Sequence, residues 1–223
     1  MKVVAKIRSD FETKFGIPRQ SGLINELKSM VVFEPRFRNP DALRGLEEYS
    51  HIWLIWEFSQ SPKDGWSPMV RPPRLGGNVR KGVFATRTPF RPNPIGLSCV
   101  RLEKIEDHET LGHVLHVSGA DLMNGTPIYD IKPYLPDTEC HPEATGGLGQ
   151  KVKDRSLQVS CGDEHLRFFT LEKKAALLKV LAQDPRPSYQ DDPERIYGIA
   201  FAGYDVRFSV KGGTLTVRQI IPL

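Results

Sequence analysis

Apolar and polar positions alternate over short stretches through the first two-thirds of the chain. Residues 3–8 alternate, residues 31–33 form a β-branched run ended by Pro35, and residues 51–58 (HIWLIWEF) are apolar at nearly every position. The first pattern predicts a half-buried strand, and the last predicts a strand covered on both faces. Residues 82–86, 96–102 and 113–118 carry further β-type runs. One brief helical turn is expected at residues 40–44, where Asn39 can cap it, Pro40 suits its first position and Gly45 can end it. Many short strands separated by Gly and Pro, with little helix, predict a closed or nearly closed β-barrel.

The pattern changes near residue 137. Residues 136–154 are polar and rich in Gly and Pro, as in a linker or excursion loop. A small mixed unit follows. Residues 157–161 read as a strand, and residues 170–183 as a helix with Leu171, Ala175, Leu178 and Leu181 on one face. Pro185 and Pro187 stop that helix. Residues 196–200, 204–210 and 214–221 read as three antiparallel strands, turned at Gly203 and at Gly212–Gly213. The expected fold class is mainly β: an N-terminal β-barrel over residues 1–137, a variable linker over 138–156, and a small C-terminal α+β domain over 157–223.

Composition agrees with a globular chain of 223 residues, 39% hydrophobic and 26% charged. No run approaches the ~20 apolar residues that a membrane helix needs, and charge enters too early at the N-terminus for a signal peptide. Three cysteines, Cys99, Cys140 and Cys161, form no CxxC pair. An odd number without that spacing argues against a disulfide framework or zinc ribbon and fits a reducing cytoplasm.

Charge changes the picture more than composition does. The chain is only +4, yet residues 65–102 hold seven Arg and Lys and no Asp or Glu, leaving 24 basic against 27 acidic elsewhere. Between Arg71 and Ser98 lie five Arg, one Lys, five Pro and four Gly. Arginines on stiff, turned backbone suit an anionic ligand, because the guanidinium fork is held before binding. A solvated, turn-rich surface is the plain alternative.

Other chemistry finds little support. No glycine-rich turn joins a strand to a helix, so neither a dinucleotide site nor a Walker loop is expected. His113 and His116 would point to opposite faces of one strand, and no metal site is expected. Gly-x-Ser-x-Gly is absent. Two loops remain of interest. Residues 17–22 (IPRQSG) offer Arg19, Gln20 and Ser21 beside Gly22, where backbone can come close. Residues 121–136 begin with Asp121 and Asn124 in a turn fixed by Gly125 and Pro127, followed by Asp130 and Lys132 on one face. These are either hairpin caps and a surface ion pair, or polar groups that grip a nucleoside.

The segments IPRQSG, RGLEEYSHIWLIWEF, WSPMVRPPRLGGN, GVFATRTPFRPNPIGLS, DLMNGTPIYDIKPYLP and LAQDPRPSY together resemble the TrmO family, also called TsaA-like or YaeB-like. The resemblance runs over essentially the whole chain, except residues 137–154. It implies an S-adenosylmethionine-dependent methyltransferase built on a β-barrel rather than a Rossmann sheet. It implies, as substrate, the N6 of threonylcarbamoyladenosine at position 37 of threonine tRNA (t6A to m6t6A), and a cytoplasmic homodimer. Carried over, cofactor contacts fall on Gln20, Ser21 and Gly22, on Ser59 and Gln60, on Arg87, on Leu97, and on Asp121, Leu122, Met123 and Asn124. Asp130 and Asp121 are candidates for the base. Arg71, Arg74 and Arg91 are candidates for the tRNA, whose threonine carboxylate suits a paired guanidinium contact, and the C-terminal domain, with Lys173, Lys174, Arg186 and Arg195, is expected to be a further tRNA contact. Without the resemblance, the residues support first a barrel that binds structured RNA without chemistry, and second a hydrolase or lyase acting on an anionic nucleotide-like molecule.

Overall fold

The computed structural model describes residues 1–61, 65–72, 79–147, 156–186 and 192–223. Six strands carry the first part: β1 (Ala5–Arg8), β2 (Lys28–Phe33), β3 (His51–Glu57), β6 (Ile95–His108), β7 (Gly112–Ser118) and β8 (Pro127–Pro133). Between β3 and β6, the pairs Met69–Val70 (β4) and Lys81–Gly82 (β5) form a two-stranded ribbon. The six strands run in the order β1-β2-β7-β6-β3-β8. The sheet closes on itself, because β1 pairs with both β2 and β8 through Ala5↔Phe33 and Ala5↔Ile128. Alternate residues of each strand fill the interior: Ala5, Ile7, Val31, Ile52, Leu54, Leu115, Val117 and Ile128 are each fully buried. Closure leaves the barrel no exposed sheet edge.

Several expectations change at this level. His51–Glu57 is not covered on both faces. Its buried positions are Ile52, Leu54 and Trp56, while Trp53 and Ile55 sit half-buried on the outside. Trp53 is shielded there by Tyr134, with ring centroids 5.9 Å apart, and donates from Nε1 to Glu139 at 2.8 Å. Residues 82–86 are not a strand but the end of a two-residue one followed by the 3-10 turn Val83–Ala85. The strand expected at 96–102 runs from Ile95 to His108, with its register shifted between Leu102 and Lys104. The brief turn at Pro40–Leu43 is present, and the Asn39 side chain accepts from the Asp41 backbone N–H at 3.0 Å.

The C-terminal part is a four-stranded sheet in the order β10-β11-β12-β9: Tyr197–Phe201 (β10), Tyr204–Lys211 (β11), Thr214–Pro222 (β12) and Gln158–Ser160 (β9). The first three are antiparallel, and β9 joins β12 in parallel. The helix Leu171–Ala182 packs on this sheet, capped by the Thr170 side chain. Its buried stripe is Ala176, Leu177, Val180 and Leu181. The expected stripe is therefore rotated. Leu171 is 83% exposed, Ala175 is exposed and Leu178 is only half-buried. Leucines and alanines cover more than one side of LEKKAALLKVLA, and the sheet, not the helix, selects which side is buried.

Phe11, Ile24 and Leu27, from the β1–β2 connection, are buried with the C-terminal residues Leu177, Phe201 and Phe208 rather than with the barrel interior. Among the described residues no helix is long and apolar enough to cross a membrane.

Candidate active site

A cleft of about 590 Å³ opens at one end of the barrel. Four stretches far apart in sequence line it. Lys14, Ile17, Arg19 and Gln20 come from the β1–β2 connection, and Trp56 to Ser61 from the end of β3. Thr86, Arg87, Phe90 and Arg91 come from the basic segment, with Ile95, Gly96 and Leu97 opening β6. Asp121, Met123 and Thr126 come from the chain before β8. Each of these segments was singled out by its motif. The barrel brings them to one rim because β3 pairs with both β6 and β8.

A chain of hydrogen bonds forms the floor. Trp56 Nε1–H donates to Ser98 Oγ at 2.9 Å, and Ser98 Oγ–H donates to Asp121 at 2.5 Å. Ser98 is fully buried and Trp56 is 8% exposed. The Trp56 ring can lie here because Gly96 stands opposite it in the register: a Cβ on Gly96 would lie within 2.6 Å of the ring. Burial raises the pKa of Asp121 above the usual aspartate value. The Ser98 hydrogen bond, the Ser21 backbone and the nearby Arg87 charge oppose that rise without cancelling it. Asp121 is thus a carboxylate kept partly out of water, with its orientation fixed by Ser98.

The facing wall is basic. Arg87 donates to the Gln20 side-chain oxygen. Arg91 reaches the carbonyls of Val83 and Thr86 at 3.1 and 2.6 Å, and lies over the Phe84 ring. Glu57, also on the cleft, accepts from the Tyr129 hydroxyl. Burial first, and then the Glu57 carboxylate, push the Tyr129 pKa up to about 12, so its hydroxyl stays protonated. Trp56 and Phe58, ring centroids 4.4 Å apart, form an aromatic side to the cleft together with Leu97.

Of the residues expected from sequence, Gln20, Ser59, Gln60, Arg87, Arg91, Leu97, Asp121 and Met123 line the cleft. Ser21, Gly22, Leu122 and Asn124 do not line it; they hold the walls. The Ser21 backbone faces Asp121. Gly22 N–H donates to the Gly119 carbonyl at 2.8 Å, in an approach so close that a Cβ on Gly119 would sit 3.2 Å from the Gly22 backbone. Leu122 is a core residue whose carbonyl accepts from Ser9 Oγ. The Asn124 side chain accepts from the Ser9 backbone N–H and donates to Glu12. Asp130 pairs with Lys132 at 3.2 Å, is half-exposed, and lies away from the cleft lining. Arg71 is exposed and also outside the lining. Arg74 lies outside the described residues. Trp56, Glu57, Ser98 and Tyr129 were not picked out from sequence. Their signal was hidden in strands whose apolar neighbours dominate the pattern.

Comparison with known proteins places both parts of the chain in one family. The model of the tRNA-methyltransferase O N-terminal domain matches residues 6–140, and that of the TrmO C-terminal domain matches residues 156–223. A tRNA (adenine(37)-N6)-methyltransferase of Escherichia coli K12 is 40% identical over 227 residues, spanning 98% of this chain and 96% of the relative. One from Eikenella corrodens is 47% identical over 176 residues, 78% of this chain and 97% of the relative. The crystal structure of TrmO from Pseudomonas aeruginosa superposes with a TM-score of 0.78 at 33% identity, covering 99% of this chain and 98% of that one. With both of its parts matched in order, this chain belongs to the tRNA-methyltransferase O family.

Proposed function

We propose that this protein is an S-adenosylmethionine-dependent tRNA methyltransferase that methylates N6 of adenine 37. At the finer level, its substrate is threonylcarbamoyladenosine in threonine tRNA (t6A to m6t6A), and it acts as a homodimer. The observation that carries the reading is the cleft itself. A partly buried, oriented carboxylate, Asp121, faces a pair of side chains, Arg87 and Gln20, across an aromatic wall.

The donor set fits the cofactor. S-adenosylmethionine carries no phosphate, so it needs no helix N-terminus. It offers an adenine, two ribose hydroxyls, a carboxylate and a cationic sulfonium. The cleft is of ordinary size for such a ligand. Trp56, Phe58 and Leu97 offer the adenine apolar area, and Arg19 and Arg87 offer the carboxylate cationic partners. Gln20, Ser59 and Gln60 offer donors and acceptors to the remaining polar groups. When bound, the cofactor supplies the methyl group, transferred by in-line displacement at carbon.

The chain's own task is then alignment, exclusion of water and removal of one proton. Alignment of two bound reactants accounts for a large share of such a rate gain. Of the two candidate bases only Asp121 faces the cleft, and it is the base we propose. Its raised pKa is the direction that makes a carboxylate a better proton acceptor. Ser98 donates to its Oδ1 and so fixes the orientation of the carboxylate. Arg91, already seated against two carbonyls, and the exposed Arg71 give the RNA side of the cleft a positive face, suited to the threonine carboxylate and to anticodon-loop phosphates.

The test is transfer of label from S-adenosylmethionine to bulk tRNA prepared with and without the threonylcarbamoyl group. Label should enter only the modified pool and map to position 37. Tight tRNA binding with no label in either pool, and no saturable cofactor binding, would leave a non-catalytic RNA-binding barrel in its place.

A further inference from the structure

We infer that the C-terminal helix Leu171–Ala182 is a splint for the cofactor-facing loop, and so a part of the active-site architecture. The inference rests on the methyltransferase reading above for the ligand, but its geometry is independent of that reading. The connection between β1 and β2 leaves the barrel at Ser9 and returns at Lys28. Lys14, Ile17, Pro18, Arg19 and Gln20 on it line the cleft. Nothing in its local sequence makes it rigid beyond Pro18: it is a long run without helix or strand.

The barrel holds it through a few hydrogen bonds, such as Gly22 N–H to the Gly119 carbonyl, and the C-terminal part supplies the rest of its anchors. Lys173, in the first turn of the helix, holds both carboxylate oxygens of Asp10. Lys179, in the last turn, pairs with Glu26, and the bond to Lys179 is the main reason the Glu26 pKa is lowered. Between them, Arg19 donates to the carbonyl of Gln183, the C-cap residue, at 2.9 Å. A guanidinium at a helix C-terminus is favoured by the helix dipole as well as by the bond. The helix thus engages the start, the middle and the end of the loop. The sheet completes the grip. Ala202 N–H donates to the Asp10 carbonyl at 2.8 Å, and Ile199 packs against Gly16, where a Cβ would be only 3.0 Å from its Cγ2. Phe11, Ile24 and Leu27 are anchored in the C-terminal core at 1–2% exposure.

Gln20 is the point where this grip meets the chemistry, because it accepts from Arg87 one residue after the splinted Arg19. A fragment ending near residue 153 would lack all of these C-terminal contacts with the loop. Such a fragment would expose Phe11, Ile24 and Leu27 and leave the loop only its barrel-side hydrogen bonds, such as Gly22 N–H to the Gly119 carbonyl and Asn124 N–H to the Phe11 carbonyl. Lys153 itself lies outside the described residues.

The test uses the full-length protein and two single variants of the first staple, Asp10→Asn and Lys173→Ala, neither of which lines the cleft. Three quantities are read: thermal stability, S-adenosylmethionine affinity by calorimetry, and hydrogen exchange of amides 10–22. Both variants should stay folded, lose protection in the loop, and bind the cofactor roughly 10- to 150-fold more weakly, the scale of a lost charge-assisted pair. The exchanged pair, Asp10→Lys with Lys173→Asp, should recover most of that loss. Asp10→Asn keeps the lysine, so an RNA-contact role for Lys173 predicts unchanged cofactor affinity and unchanged loop protection in that variant. That result would overturn the splint. Wild-type protein that binds no cofactor at all would instead overturn the methyltransferase reading, while the exchange data would still report on the loop.

Discussion

Ser98→Ala tests the floor of the cleft most directly. Ser98 is fully buried and makes two hydrogen bonds, accepting from Trp56 and donating to Asp121. Alanine removes one oxygen and leaves two stranded partners. The bond to a carboxylate is worth about 1.5–3 kcal/mol, and an unpaired buried indole N–H adds about 1–3 kcal/mol. Because Trp56 can shift slightly, we expect a net loss of about 2–4 kcal/mol in urea unfolding at pH 7. In an Asp121→Asn background the same change removes only a neutral bond, worth about 0.5–1.5 kcal/mol. The double-mutant cycle should therefore show a coupling of about 1 kcal/mol or more. The pH dependence has a defined sign. The folded-state pKa of Asp121 lies above its usual value of 3.8, so its contribution to stability is fully present below that value and is lost as pH rises through the folded pKa. Ser98 is the largest influence opposing the rise, so its loss moves this window to higher pH. With Asp121 as the proposed base, the acid limb of the methylation rate should move the same way and vanish in Asp121→Asn. A loss below about 0.5 kcal/mol, or strictly additive single effects, would refute the relay as a structural unit.

Excess S-adenosylmethionine should raise the stability of the wild-type protein, by about 2.7 kcal/mol at 100-fold over its dissociation constant; a scan at millimolar ligand with no shift would count against the cleft as its site. Arg87→Ala should weaken cofactor affinity by about 1.5–3 kcal/mol, whereas Arg71→Ala should leave it intact and flatten the salt dependence of tRNA binding; equal loss of cofactor affinity in both would end that division. Gly96→Ala should drive its methyl group into the Trp56 ring and cost about 1–3 kcal/mol by overpacking, and near-wild-type stability with unchanged activity would mean the ring is not held there. Tyr129→Phe removes the donor to Glu57 without altering shape, so stability should fall by about 0.5–1.5 kcal/mol, measured by urea unfolding, with no change from wild-type disproving the bond.

Much of this molecule was legible in its sequence. Alternation and Gly/Pro punctuation called for a small β-rich barrel followed by a strand–helix–strand unit, because both periodicities follow directly from backbone geometry. Long motifs such as IPRQSG and RPNPIGLS marked the loops that line the cleft, because such loops need particular residues locally: Pro18 to stiffen, Gly96 to admit a ring, Arg87 to offer charge. What sequence could not settle is what each side chain faces. The helix stripe was misplaced because an apolar residue on LEKKAALLKVLA can be buried on more than one side, and only the sheet beneath chooses Leu177 over Leu171. Asp121 and Asp130 look alike as acidic residues near one turn, yet one is turned inward onto Ser98 and the other outward onto Lys132. Asp130 stands opposite Ile55 in the β3–β8 register, on the outer face, whereas Asp121 lies in the β7–β8 connection against Ser98 of β6, and both placements depend on strands paired from distant parts of the chain. The ties from Lys173 to Asp10 and from Arg19 to Gln183 join residues more than 160 positions apart. No local pattern encodes such a pairing, so only the folded chain shows that the C-terminal helix belongs to the site.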